Sequence, residues 1–239
     1  DNNLVDGNAV GILLYNDINN IEITNNTIIN NTSSGIKLSS NQDDVEIVGN
    51  TIDNNGYRGI ELRSQNKNIN ISDNTISNHE SAGIDFGSQY GNNADNYGDV
   101  IDNLIVNNGS YGIYYHEVDH GDCEVRNNTI DGHSAYGLYW RSDDYSNDVL
   151  NASNNSITNN DTGIYCYNGN NYNTIAYNNS WNNDGGNYEG DLPDGTGALN
   201  DINPNNNVCD VYSNISENPL YQDPENDNYY LSFNSPNVD

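Results

Sequence analysis

Short runs in which apolar and polar residues alternate recur along the chain, always in the same order. One set holds Ile21 and Ile23, Val45 and Ile47, Ile69 and Ile71. A second holds Ile36 and Leu38, Ile60 and Leu62, Ile84 and Phe86, Ile113 and Tyr115, Leu138 and Trp140, Ile164 and Cys166. A Thr-Ile pair, as at Thr51-Ile52, makes a third. A period of two belongs to strands, whose successive side chains turn to opposite faces. No helical period of 3.6 competes with it.

Two markers fix the repeat. A glycine opens the second set at Gly11, Gly35, Gly59, Gly83, Gly112, Gly137 and Gly163, in steps of 24, 24, 24, 29, 25 and 26 residues. An asparagine precedes the Thr-Ile strand at Asn3, Asn26, Asn50, Asn74, Asn103, Asn128, Asn155, Asn179 and, more loosely, Asn214. Independent markers that keep one period define a structural repeat rather than a compositional bias. Three short strands in each ~24 residues predict an all-β fold, a single-stranded parallel β-helix of eight to nine coils. At ~4.8 Å per coil it makes a rod on the order of 40 Å long.

Each marker has a physical reason. Asparagines at one corner of successive coils can stack, bond to one another and tolerate left-handed backbone, so Asn26, Asn50, Asn74, Asn103, Asn128, Asn155 and Asn179 are expected to form a ladder. The glycine is expected at a corner that needs positive φ. Cys123 and Cys209 fall in the slot of Ile21, and Cys166 falls in the slot of Leu38. All three are expected inside the rod as free thiols acting as small hydrophobes.

The whole chain, 1–239, reads as one domain. Extra residues enter at 87–97 and 141–148, on one edge of the rod. The period breaks at 185–207, a long inserted loop, and 208–239 reads as a closing segment.

Composition limits the function. Six Lys and Arg face 35 Asp and Glu, a net charge of −29. That field repels polyanions, so a nucleic-acid partner is excluded. It suits solubility, high salt or cation binding. Hydrophobic residues make up only 33%, which an array tolerates because each coil buries a narrow inward stripe. No stretch is apolar enough for a signal peptide or direct membrane insertion. Any signal or anchor is expected outside these residues.

The Asn-x-Ile and Gly-Ile-x-Leu coils resemble the right-handed parallel β-helix repeats of the pectin-lyase-like superfamily. They are most similar to its carbohydrate-binding and sugar-hydrolase-type repeats, which include NosD-like periplasmic proteins and archaeal surface proteins. The closing run from Asn218-Pro219-Leu220-Tyr221 through Asp223-Pro224 to Ser235-Pro236-Asn237-Val238-Asp239 resembles the segment that ends such helices. The resemblance implies the right-handed coil and a secreted or cell-surface setting. It leaves function open among lyases, hydrolases, epimerases, adhesins and inert rods.

Candidate chemistry lies where the repeat leaves side chains free. The outward column of the Gly-Ile strand brings together Glu61, Arg63, Asp85, Tyr114, His116, Glu117, Tyr139, Arg141, Tyr165 and Tyr167. Stacked tyrosine rings beside Arg and carboxylates suit carbohydrate or partner binding. The same rings also suit cross-strand ladders that only stabilise a sheet. Asp119 and Asp122 lie with His116 and His120 in a ligand-dense turn that is a candidate transition-metal site. Asp223 and Asp227, like the stretch 184–194, are candidate oxygen ligands for Ca²⁺, in stretches without the spacing of a known loop. Asn-x-Ser/Thr triplets at Asn25, Asn30, Asn70, Asn108, Asn127, Asn151, Asn160, Asn178 and Asn214 are candidate glycosylation sites.

These features predict a non-catalytic extracellular or cell-surface protein. Its partner is a further copy of itself, in a sheath or filament, or a surface polysaccharide. The alternative is a polyuronate lyase or epimerase with His116 as base, Arg141 or Arg63 on the sugar carboxylate, and Asp85 on Ca²⁺. No Asp-Pro-His-Glu, paired-Asp or Arg-x-Pro-x-x-Arg signature of such enzymes is present.

Overall fold

The computed structural model describes residues 1–87, 96–118, 121–142, 148–168 and 172–237. Each coil gives one strand to each of three parallel sheets. Sheet A stacks eight strands, from Leu4–Asp6, Thr27–Ile29 and Thr51–Asp53 to Ser156–Thr158 and Asn179–Trp181. Sheet B also stacks eight, from Ile12–Leu14 through Ile60–Leu62, Ala82–Phe86, Tyr111–Val118, Tyr136–Ser142 and Thr162–Tyr167 to Gly186–Gly190. Sheet C stacks seven, from Asn19–Thr24 to Thr174–Ala176. The rod therefore has seven complete coils, not eight or nine. The chain leaves the period after Gly190, so the eighth turn has no strand in sheet C.

The alternating apolar positions point inward as their period requires. Ile28, Ile52, Ile76, Ile105, Ile130 and Ile157 form one fully buried column. Register between strands keeps like residues in line, as in Ile36↔Ile60 and Leu38↔Leu62. Mid-rod the column widens to aromatic residues: Phe86 stacks on Tyr115 at 4.2 Å, and Tyr115 meets Trp140 at 5.2 Å. The Tyr115 hydroxyl donates to Gly98 O at 2.8 Å, so the buried ring leaves no orphan group. Cys123, Cys166 and Cys209 are buried free thiols, and burial pushes the Cys166 thiol up to about 12.

The corners divide between residues the work expected of one. In a rung of the ladder, Asn50 N–H and Nδ2 both donate to Asn74 Oδ1, at 2.9 and 3.0 Å. Asn50 Nδ2 also reaches Ile23 O at 2.8 Å. Rungs repeat from Asn3 through Asn26, Asn50, Asn74, Asn103, Asn128 and Asn155. The next rung is Asn178, not Asn179: Asn155 donates to Asn178 Oδ1, and Asn178 donates to Asn214 Oδ1. Asn179 sits one position on and binds the closing segment through Glu217 O. The left-handed backbone belongs to the residue before each rung: Asn2, Asn25, Gly49, Asp73, Asp102, Asn127, Asn154, Tyr177 and Ser213.

The Gly-Ile glycines do not have positive φ. They are required by contact between coils instead. A Cβ on Gly35 would lie 2.6 Å from Ile52 Cγ2 and 2.9 Å from Gly59 O.

A second ladder occupies the corner between sheets A and B. Asn8, Asn31, Asn55, His79, Asn108, His133, Asn160 and Asn183 follow one another, each backbone N–H or amide reaching the next side chain. His79 Nδ1 accepts from Asn55 N–H at 3.1 Å, which requires the neutral ring. Burial pushes both histidines down to about 4.

The break in period starts later than the sequence suggests. Gly186–Gly190 still pairs with Thr162–Tyr167 as the last strand of sheet B. Asp201–Ile202 and Val208–Cys209 form a small antiparallel pair, as do Tyr221–Asp223 and Asn228–Leu231. The extra residues of the two earlier insertions fall mostly at 88–95 and 143–147, outside the described residues.

Candidate functional site

The outward column of sheet B is built by register alone. Lys37 pairs with Glu61, Glu61 with Asp85, Asp85 with Tyr114, Tyr114 with Tyr139 and Tyr139 with Tyr165. Two residues along, His116 pairs with Arg141 and Arg141 with Tyr167. Glu117 lies in the same strand, but its side chain is outside the described structure.

The column has an ionic half and an aromatic half. In the ionic half Glu61 points outward yet is only 1% exposed. It accepts from Ser34 Oγ at 2.7 Å, and pairs with Arg58 at 2.5 Å, Lys37 at 3.3 Å and Arg63. Burial works to raise its pKa. The Ser34 hydroxyl and the three cations outweigh burial and hold it below the usual range. Asp85, 3% exposed, pairs with Arg58. For Asp85 burial wins over Arg58, and the carboxyl is pushed up to about 6.

Glu61 and Asp85 are thus counter-ions packed beneath cations, not open ligand groups. Four of the six basic residues of this acidic chain, Lys37, Arg58, Arg63 and Arg141, lie on this face.

The raised Asp85 pKa gives a signed prediction. The folded state holds the proton more tightly than the unfolded chain, whose carboxyl titrates near 3.8. The associated stability is fully present below 3.8 and is lost as pH rises through about 6. Asp85→Asn is therefore expected to stabilise the protein above pH ~6 by up to about 3 kcal/mol, and to give no gain near pH ~4. Urea midpoints at the two pH values check this. An equal change at both would remove burial of charge as the cause.

In the aromatic half five tyrosines form one array. Tyr111 stacks on Tyr136 at 5.7 Å, and Tyr139 stacks on Tyr165 at 5.4 Å. Tyr114 meets Tyr111 at 4.4 Å and Tyr139 at 5.1 Å. His116 stacks on Tyr114 at 5.4 Å, and its Nε2 lies 3.1 Å from Arg141 Nη1. The Arg141 guanidinium sits over the Tyr167 ring at 5.2 Å, and that ring is 43% exposed. Burial, with the neighbouring tyrosines, raises the pKa of Tyr114, so its hydroxyl is neutral and can donate.

Sequence reasoning missed Arg58, Tyr111 and Tyr136. Their signal was present: each directly precedes a Gly-Ile or Gly-Leu glycine, at Gly59, Gly112 and Gly137. That position is a second outward column, in which Tyr111 pairs with Tyr136.

Other candidate residues are scattered. Asn108, Asn160, Asn178 and Asn214 are buried in the ladders, so a glycan there would break the corner that holds the coils together. Asn25, Asn30 and Asn127 are exposed, and Asn70 and Asn151 are half-buried. Asp119 and His120 lie outside the described residues. Asp122, Asp223 and Asp227 are exposed, and Asp223 Oδ2 accepts from Asn226. Among the described residues no group of three or more His, Cys, Asp or Glu is placed to hold a metal. No helix in them is long and apolar enough to cross a membrane.

Three parallel sheets wound as stacked coils, with an asparagine ladder at the corner from sheet C to sheet A, define a β-solenoid of the parallel β-helix class. Residues 1–97 match the family model described as the right handed beta helix region. The coils beyond residue 97 keep the same three sheets and the same ladders, so one parallel β-helix fold runs on past the matched residues. No curated protein and no solved structure matches it.

Proposed function

We propose that this protein is a non-catalytic glycan-binding β-helix of a secreted or cell-surface setting, and that its ligand lies along the outer face of sheet B. The observation that carries the proposal is the continuous array of Tyr111, Tyr114, Tyr136, Tyr139 and Tyr165 across three coils. Such rings cover the apolar faces of sugars. Arg141 and His116 at the edge of the array supply charge and donors for hydroxyl or carboxylate groups. The ionic half supports a binding role over a catalytic one, because both of its carboxylates are engaged by cations. The acidic surface and the exposed acceptor triplets at Asn25, Asn30 and Asn127 accord with an exported protein.

The test is isothermal titration against polyuronates and neutral polysaccharides. Tyr114→Ala and Tyr139→Ala are each expected to weaken binding about tenfold, or ~1.5 kcal/mol, with the β-sheet circular dichroism unchanged. Undiminished binding by the double variant would overturn the site. Turnover of a polyuronate that is lost in His116→Ala or Arg141→Ala would replace it with the lyase or epimerase reading.

A further inference from the structure

A cavity of about 710 Å³ lies at the corner where sheet C turns into sheet A, away from the outer face of sheet B. Its floor is the corner of three successive coils, at Asn127–Thr129, Asn154–Ser156 and Tyr177–Asn179. Its wall is the inserted loop at Asn203 and the closing segment at Tyr229 and Asn237. That wall is fastened in place. Tyr229 Oη donates to Asp131 Oδ2 at 3.0 Å, and Tyr221 Oη lies 2.6 Å from Ser156 Oγ. Asn237 bonds to Asn179 at 2.7 Å and to Ser156 Oγ at 3.0 Å.

Two observations mark this cavity as more than a packing defect. None of the seventeen described residues that line it is Asp, Glu, Lys, Arg or His, although 17% of the chain is charged. A wall free of charge is unusual on a protein with net charge −29. The lining is amide, hydroxyl, phenol and a few apolar side chains.

The second observation is Tyr177. It occupies the left-handed position before a ladder rung, with φ 58°. Other coils place small residues there: Asn2, Asn25, Gly49, Asp73, Asp102, Asn127, Asn154 and Ser213. Those residue types tolerate this backbone, whereas a bulky side chain is strained in it. The ring is 65% exposed, so no core packing compensates for the strain. The corner backbone itself is bonded as in other coils, with Tyr177 N–H donating to Tyr212 O at 3.1 Å. What lacks a structural return is the bulky exposed ring in a strained position, and that points to a role for the ring.

We propose that this cavity binds a neutral saccharide, with the Tyr177 ring as the platform for a sugar face. The exposed side-chain amides of Asn127 and Asn154 make no hydrogen bond among the described residues. They and the Tyr229 hydroxyl supply donors and acceptors at the spacing of neighbouring coils, which suits a row of hydroxyl groups. The chemistry of the wall selects against charged ligands. An anion meets the field of the whole acidic protein and no cation in the lining. A cation finds no carboxylate there.

The test uses the full chain and a panel of neutral hexasaccharides (maltohexaose, cellohexaose, laminarihexaose and chitohexaose), read by saturation-transfer NMR and titration calorimetry. At least one is expected to bind. Tyr177→Phe keeps that binding. Tyr177→Asn loses at least about tenfold in affinity while its melting temperature rises, because Asn relieves the left-handed strain. A purely structural tyrosine would not separate the two readouts in this way. The Tyr114→Ala, Tyr139→Ala double variant leaves this binding intact, which distinguishes the cavity from the face of sheet B. Failure of the whole panel to bind, equal binding by Tyr177→Asn, or loss of all binding in the double variant would overturn the proposal.

Discussion

Replacing Asn103 by alanine is expected to destabilise the protein by about 3–5 kcal/mol, one of the two largest effects of any single change outside the core. The residue is 2% exposed. Its Nδ2 donates to Ile71 O at 2.8 Å, to Ile101 O at 2.9 Å and to Asn128 Oδ1 at 3.1 Å. Its Oδ1 accepts from both Asn74 N–H and Asn74 Nδ2. Alanine removes all five bonds at once. It leaves the backbone N–H of Asn74 without its partner inside the rod, where water cannot replace it, while Asn74 Nδ2 keeps only Ile47 O and Ser72 O. Each buried orphan costs about 1–3 kcal/mol.

The control is Asn107→Ala at a neighbouring corner, where the residue is exposed with φ 55°. There the only loss is tolerance of left-handed backbone, about 1 kcal/mol. Urea denaturation of both variants decides the matter. Equal shifts would mean that the ladder holds the coils no more firmly than an ordinary turn.

The second large effect is at Glu61. Glu61→Ala is expected to cost about 3–5 kcal/mol at neutral pH, because removing one partner of a buried pair strands the others. Arg58 would keep Asp85, while Lys37 and Arg63 would lose the one carboxylate each is paired with among the described residues. The sign with pH follows from the lowered pKa. The unfolded carboxyl titrates near 4.5. The stabilisation is present above that value and is lost as pH falls through the lower folded pKa. The gap between wild type and Glu61→Ala is therefore expected to narrow below pH ~4.5. This is opposite in direction to the effect at Asp85, one strand away. Melting curves from pH 3 to 8 separate the two. A gap that stays constant across that range would assign Glu61 a packing role only.

Much of the fold was legible in the sequence because the solenoid repeats its physics. Gly35, Ile36 and Leu38 recur as Gly59, Ile60 and Leu62 since each coil meets the same neighbours above and below. The second ladder was less visible. Its rung stands four residues before the glycine at Asn31, Asn55 and Asn108, but His79 and His133 interrupt it. A neutral imidazole accepts a backbone N–H as an amide oxygen does, and a search for one residue type passes over that equivalence.

The site was legible only in part. Register gave the column from Glu61 to Tyr165. It could not give Arg58 bridging Glu61 and Asp85, because that contact depends on where a long side chain folds. Nor did period reveal the cavity around Tyr177. The closing segment comes to lie over sheet A through contacts such as Asn237 with Ser156, 81 residues apart, and no repeat encodes them.

The ladders have a direction. Along the first, each backbone N–H reaches the side-chain oxygen of the following coil, from Asn3 to Asn26 and onward to Asn214. The last rung turns to its own coil, where Asp210 accepts from Asn214 N–H and Nδ2. The other ladder ends alike, with Asn183 bonded to Asn187 four residues on. Asp210 and Asn187 are terminators, and demand for them passes only one way. A coil stripped from the amino-terminal side leaves behind an oxygen that water can serve. A coil stripped from the carboxy-terminal side leaves buried hydrogens with nothing to receive them. The rod is thus free to differ in length at its beginning, while its ending is a fixed fitting.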